Sequence, residues 1–169
     1  MMTPSVQEKN AESRIAREGI TLHRVMKTSA RWDNIAREWA GGMRVTFEIG
    51  CPAFTKTYRE TGDVNTATVH TFLTILSKVP DTFIARKVGT RWAGDIREAV
   101  KIGLKEARRV SLDASRVLGA GGLSTFTGRR KLEAFDKELR MAGNELNPGT
   151  TADLTASSLF TAILCGARV

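Results

Sequence analysis

The chain has 169 residues, 41% of them hydrophobic and 26% charged, with a formal net charge of +8. That length supports one globular unit with its own core, and that composition excludes both a disordered polymer and a fibre. Two isolated cysteines, Cys51 and Cys165, exclude a disulfide framework or a zinc ribbon and favour a reducing, cytoplasmic setting.

The periodicity predicts an all-α fold, a single bundle of about six to eight helices. Residues 1–19 read as a charged surface helix ending at Gly19, and residues 20–169 as the helical domain proper. From Thr21 to Ala40 the apolar positions Leu22, Val25, Met26, Trp32, Ala36 and Trp39 recur at steps of three and four, which predicts a helix with one buried face, stopped at Gly41 and Gly42. Between Arg44 and Glu60, Val45, Phe47 and Ile49 alternate as in a strand, whereas Phe54 and Tyr58 have helical spacing. The reading favoured is a helix kinked near Gly50 to Pro52, the alternative a short strand before a helix.

A polar turn from Thr61 to Thr66 leads into a buried helix through Val79, which Pro80 closes. Asp81 and Thr82 cap a brief helix ended by Gly89. Apolar residues then recur from Thr90 to Leu118, the longest helix predicted, before the break Gly119-Ala120-Gly121-Gly122. A cap at Ser124 to Thr127 opens a helix that ends at Gly143. The turn Asn147-Pro148-Gly149 precedes a last helix capped by Thr150 and Thr151. The longest uncharged runs, Val64 to Ser77 and Leu154 to Ala167, fall short of the roughly 20 residues that cross a bilayer.

Chemistry is sparse. The common P-loop, Rossmann, zinc-protease and nucleophile-elbow motifs are missing. His23 and His70 are the only histidines, and His70 has Asp63 and Asn65 in the turn before its helix. A carboxylate, an amide and an imidazole within two turns suit a magnesium-associated phosphate or a ribose hydroxyl, although Asp63 or Asn65 equally suits a plain helix cap. Asn147, Thr150 and Thr151 present hydroxyl and backbone N–H groups at a helix start, where an anion binds, and Asp153 in the first turn would need a cation between itself and that anion. Gly121 and Gly122 allow close backbone approach, with Arg129, Arg130 and Lys131 following, and the bland reading of them is a hinge. Glu38 and Glu48 are candidate metal ligands, while Trp32, Trp39 and Trp92 read as core.

Four stretches occur in one order: Asp63-Val64-Asn65-Thr66-Ala67-Thr68-Val69-His70-Thr71-Phe72-Leu73, Pro80-Asp81-Thr82-Phe83-Ile84-Ala85-Arg86-Lys87, Gly121-Gly122, and Leu146-Asn147-Pro148-Gly149-Thr150-Thr151-Ala152-Asp153-Leu154-Thr155-Ala156. Together they resemble the triphosphoribosyl-dephospho-CoA synthase family, its archaeal branch in particular. The resemblance runs from about Glu12 onward and matches only the carboxy-terminal half of that family.

The resemblance implies an all-α transferase that takes ATP and 3′-dephospho-CoA or a related coenzyme, uses Mg²⁺, attaches the triphosphoribosyl group and expels adenine. It implies Asp63 and Asp153 as metal ligands, Asn65 and His70 as catalytic residues, and Gly121, Gly122, Asn147, Thr150 and Thr151 as nucleotide-binding residues. It leaves three readings: one half of a split or truncated enzyme, completed by a partner or a second copy; a start later than that of the natural gene product; or loss of the transferase activity. Two other classes stand beside it: a catalytically silent helical interaction module, and, ranked last for want of helix-turn-helix spacing or a basic arm, a nucleic-acid binder.

Overall fold

The computed structural model describes residues 15–168, and among these every regular element is helical. The surface helix expected over residues 1–19 lies mostly outside the described residues. Eight helices of eight residues or more follow: α1 (Leu22–Ser29), α2 (Asn34–Gly41), α3 (Cys51–Thr61), α4 (Val64–Lys78), α5 (Thr82–Gly89), α6 (Ile96–Gly119), α7 (Phe126–Arg140) and α8 (Gly149–Leu164).

The helix expected over Thr21 to Ala40 is broken in two. Asp33 takes extended backbone and its carboxylate accepts the Ala36 N–H at 3.0 Å, restarting the chain as α2. The ambiguous stretch before Pro52 is neither strand nor simple kink: Thr46–Gly50 form a π-helical turn continuous with α3, and Pro52 sits in the first turn of α3, where its missing N–H costs little. The long helix begins at Ile96 rather than Thr90, because Asp95 caps it by accepting from Arg97 and Glu98. Trp92 is therefore left in an exposed turn and Trp39 on an exposed face. Of the three tryptophans only Trp32 packs against the core.

The core forms where α4, α5, α6 and α7 meet, around Leu73, Leu76, Ile84, Val110, Val117 and Phe135. A second cluster, Phe54, Ala67 and Ala162, joins α3, α4 and α8. The direction of α8 follows from its two ends. Thr151 in its first turn bonds Asp81, just past the carboxyl end of α4, while Ala162 near its last turn packs with Ala67 near the amino end of α4. The two helices are antiparallel, so the bundle has one end at the Asp63 turn and another at the α4–α5 junction. At about 1.5 Å per residue the 15 residues of α4 set these ends roughly 22 Å apart.

Candidate active site

At the α4–α5 end, one carboxylate organises two helix starts. Asp81 is 1% exposed. Its Oδ1 accepts the N–H groups of Phe83 and Ile84 at 2.8 and 3.1 Å, capping α5. Its Oδ2 accepts both the N–H and the hydroxyl of Thr151, at 2.7 and 2.8 Å, and so caps α8 across 70 residues of sequence. Thr82 continues the junction: its hydroxyl accepts the Asn34 N–H at 3.1 Å and lies 3.4 Å from that of Thr150. The Asn34 amide donates to the Pro80 carbonyl at 2.9 Å. Thus α2, α5 and α8 are pinned together at their amino termini.

Their convergence has an electrostatic result. Each helix start carries partial positive charge, but the Asp81 and Asp33 carboxylates already offset it at α5, α8 and α2, which leaves Arg86 as the cation lining the opening. The opening is a cleft of about 700 Å³ lined by Asp33, Thr82, Arg86, Asn147, Thr150 and Asp153 among others, with the amino end of α6 on its far side. The Arg86 guanidinium lies 5.0 Å over the Phe83 ring, which holds the cation at the cleft without consuming it in an ion pair. Asp153 has no hydrogen bond or ion pair among the described residues, and Asp33 uses only one oxygen, for its cap.

Among the sequence-predicted residues, Asn147, Thr150 and Asp153 line this cleft. Thr151 adjoins it, but its hydroxyl and N–H are both spent on Asp81, and Thr150 and Thr151 are not the cap of their helix; Asp81 supplies it. Asp63 lies at the opposite end of the bundle, exposed, where it caps α4 by accepting the Thr66 N–H at 2.8 Å. Those hydrogen bonds hold its carboxyl below the usual carboxylate range. Asp63 and Asp153, both expected as metal ligands, cannot touch one ion, because the length of α4 stands between them.

Asn65 is exposed in the first turn of α4. His70 is half-buried on the side of α4 turned to α3. Burial lowers its pKa, the nearby Glu60 carboxylate opposes that shift, and the Lys56 ammonium reinforces it. Neither residue lines the cleft.

Gly121 and Gly122 form the turn between α6 and α7 with φ of +93° and +51°. A Cβ on Gly128 would fall 2.2 Å from the Gly122 carbonyl oxygen, so these glycines serve the close seating of α7. Glu38, 4% exposed, accepts from the backbone of Val45 and Thr46 and from the Thr46 hydroxyl, whereas Glu48 pairs with Arg44 on the surface.

Sequence reasoning passed over Asp33 and Arg86, and read Asp81 and Thr82 only as a helix cap. The last three stand inside a stretch already quoted for its family resemblance, which was the available signal.

The fold and the cleft together define an all-α domain with a polar cleft where three helix starts meet. The family model for CitG, ATP:dephospho-CoA triphosphoribosyl transferase, matches residues 1–168, and the chain belongs to this family. It is similar to a probable 2-(5''-triphosphoribosyl)-3'-dephosphocoenzyme-A synthase of Stutzerimonas stutzeri (strain A1501), 31% identical over 126 residues that make up 74% of this chain and 38% of that protein. A 2-(5''-triphosphoribosyl)-3'-dephosphocoenzyme-A synthase of Klebsiella pneumoniae is 32% identical over 109 residues, 64% of this chain and 31% of that one. The chain thus spans between 31% and 38% of the length of these relatives. No solved structure matches it.

Proposed function

We propose that the chain carries the nucleotide site of a triphosphoribosyl transferase that moves the triphosphoribosyl group of ATP to 3′-dephospho-CoA. One observation carries the reading: a single buried carboxylate, Asp81, ties the starts of α5 and α8 into a cleft that also holds Arg86 and two carboxylates with unused oxygens, Asp33 and Asp153. In the reaction the bond between adenine and its ribose breaks, a coenzyme hydroxyl forms the new glycosidic bond through its oxygen, and adenine leaves with the proton. Arg86 pairs with the triphosphate at the mouth of this cleft.

Magnesium is ordinarily held by one or two carboxylates together with substrate phosphates rather than by a protein cage. Asp33 and Asp153 fit that pattern, and no cluster of three or more ligating side chains occurs among the described residues. When bound, the ion would neutralise charge on the phosphates. Asn147 and Thr150 offer hydrogen bonds at the same opening. In this reading the chain corresponds to the carboxy-terminal half of the longer relatives.

Calorimetric titration of ATP into the full chain, with and without Mg²⁺, tests the proposal. Mg²⁺-dependent binding that falls at least tenfold in Asp153→Asn supports it. An absence of ATP binding at millimolar concentration refutes it and favours a silent interaction module, for which the exposed Phe160, Ile163 and Leu164 of α8 would supply the surface.

A further inference from the structure

Beside the main cleft, on the other side of Trp32, lies a second pocket of about 230 Å³. Three arginines line it: Arg31 from the turn before α2, Arg37 from α2, and Arg108 from α6, one turn beyond Leu104 on the same helical face. No carboxylate lines the pocket. Five other arginines, Arg44, Arg91, Arg109, Arg116 and Arg140, each sit against an Asp or Glu, and what sets this group apart is that three unpaired ones line one pocket. Arg37 is steadied by donating to the Ala30 carbonyl at 3.1 Å, and Arg31 and Arg108 have no acidic partner among the described residues.

Three guanidinium groups gathered without a counterion repel one another, and an anion in their midst removes that cost. Pocket size limits the anion, because a volume of about 230 Å³ is below the roughly 300–1,000 Å³ of sites that engulf a whole small molecule, and suits a charged fragment of one. The two openings also differ in chemistry. The main cleft carries Asp33 and Asp153 and so favours phosphates that bring a metal ion, whereas the arginine pocket offers only direct pairing to a metal-free phosphate. Trp32, Thr82 and Val100 border both, so ligands in the two openings would lie against each other.

We infer that the Arg31–Arg37–Arg108 pocket seats the metal-free diphosphate of the coenzyme acceptor, next to the metal-bound triphosphate in the main cleft. The inference rests on the transferase reading for the identity of the acceptor, but the diphosphate chemistry stands on the pocket alone.

The test is calorimetric titration of the full chain with three probes: 3′-dephospho-CoA, inorganic pyrophosphate, and ATP with Mg²⁺. Arg31→Gln and Arg108→Gln change exposed side chains and leave the Arg37 clamp intact. Each should weaken dephospho-CoA and pyrophosphate roughly tenfold, the worth of one charge-assisted hydrogen bond, while ATP changes less than about threefold. Arg108→Lys should recover part of the loss.

Pyrophosphate binding that is lost in Arg108→Gln supports the pocket even where ATP fails to bind, in which case only the transferase reading falls. Unchanged affinity for dephospho-CoA and pyrophosphate in both variants overturns the pocket and leaves the ATP cleft standing. Equal losses for all three probes overturn it too, since they would mark a diffuse basic field.

Discussion

Thr151 donates its backbone N–H and its hydroxyl to the same oxygen of Asp81, at 2.7 and 2.8 Å, while the other Asp81 oxygen accepts from Phe83 and Ile84. Four donors therefore converge on one carboxylate in the interior. Asp81→Ala leaves all four without a partner and should lower stability by about 3 kcal/mol, or roughly 6–12 °C in melting temperature. Thermal denaturation followed by circular dichroism checks this, and a shift below about 2 °C would show that water replaces the carboxylate.

Asp153 behaves in the opposite way. It is exposed and unpaired in the second turn of α8, so Asp153→Asn should leave the melting temperature within about 2 °C of the parent while lowering Mg²⁺-dependent nucleotide binding at least tenfold. The contrast between the two aspartates separates scaffold from ligand contact in one pair of variants.

Asp63→Ala removes an exposed cap at the far end of the bundle. Its carboxylate is favoured in the folded state, so the stability it gives is present above its unfolded pKa of about 3.9 and fades as the pH falls through the lower folded value. ATP affinity should not change. A tenfold loss on titration would restore the idea that both acidic loops serve one site.

His70 has its pKa lowered in the folded state, chiefly by burial. The unfolded chain then takes up the proton first as the pH falls. Stability attributable to this group is intact above the ordinary histidine value of about 6.5 and declines below it, until the folded imidazole also protonates. Denaturant titrations between about pH 7.5 and 5.5 on the parent and His70→Gln, roughly one unit to either side of that value, should show a shallower decline in the variant.

Gly103 lies in the interior of α6, where alanine would ordinarily stabilise a helix by about 1 kcal/mol. Here a Cβ would fall 1.9 Å from the Ala85 carbonyl oxygen, and Gly89 faces the Ala99 carbonyl in the same manner at 1.7 Å. Gly103→Ala should therefore destabilise by about 2 kcal/mol or more, reversing the sign expected from helix propensity. A raised melting temperature would mean that α5 can slide.

Helical periodicity carried most of the fold because the buried faces of α4, α6 and α8 repeat over three or more turns. The breaks were less legible. Asp33 and Asp95 each begin a helix by capping it, yet in the sequence they stand inside continuous apolar patterns, where a carboxylate that caps looks the same as one that faces solvent. The site was half legible for a related reason. Asn147, Thr150 and Asp153 adjoin a Pro-Gly turn that marks a helix start, but Asp81 is recognisable as their organiser only when a residue 70 positions away is seen on its oxygen. His70 and Asp63 stood near them in motif order, and the antiparallel run of α4 against α8 carries Asp63 to the other end and turns His70 towards α3.

The short helix α2 is fastened twice. Near its start, Asn34 is tied to Thr82 and Pro80; near its end, Glu38 is locked onto Val45 and Thr46, and the Thr46 hydroxyl reaches Ser157 of α8 at 3.2 Å. A rod bolted at both ends cannot swing as a door. Traffic into the opening it borders must be governed by the size and charge of the incoming molecule, and a visitor of the wrong shape meets a fixed frame that will not reshape itself around it.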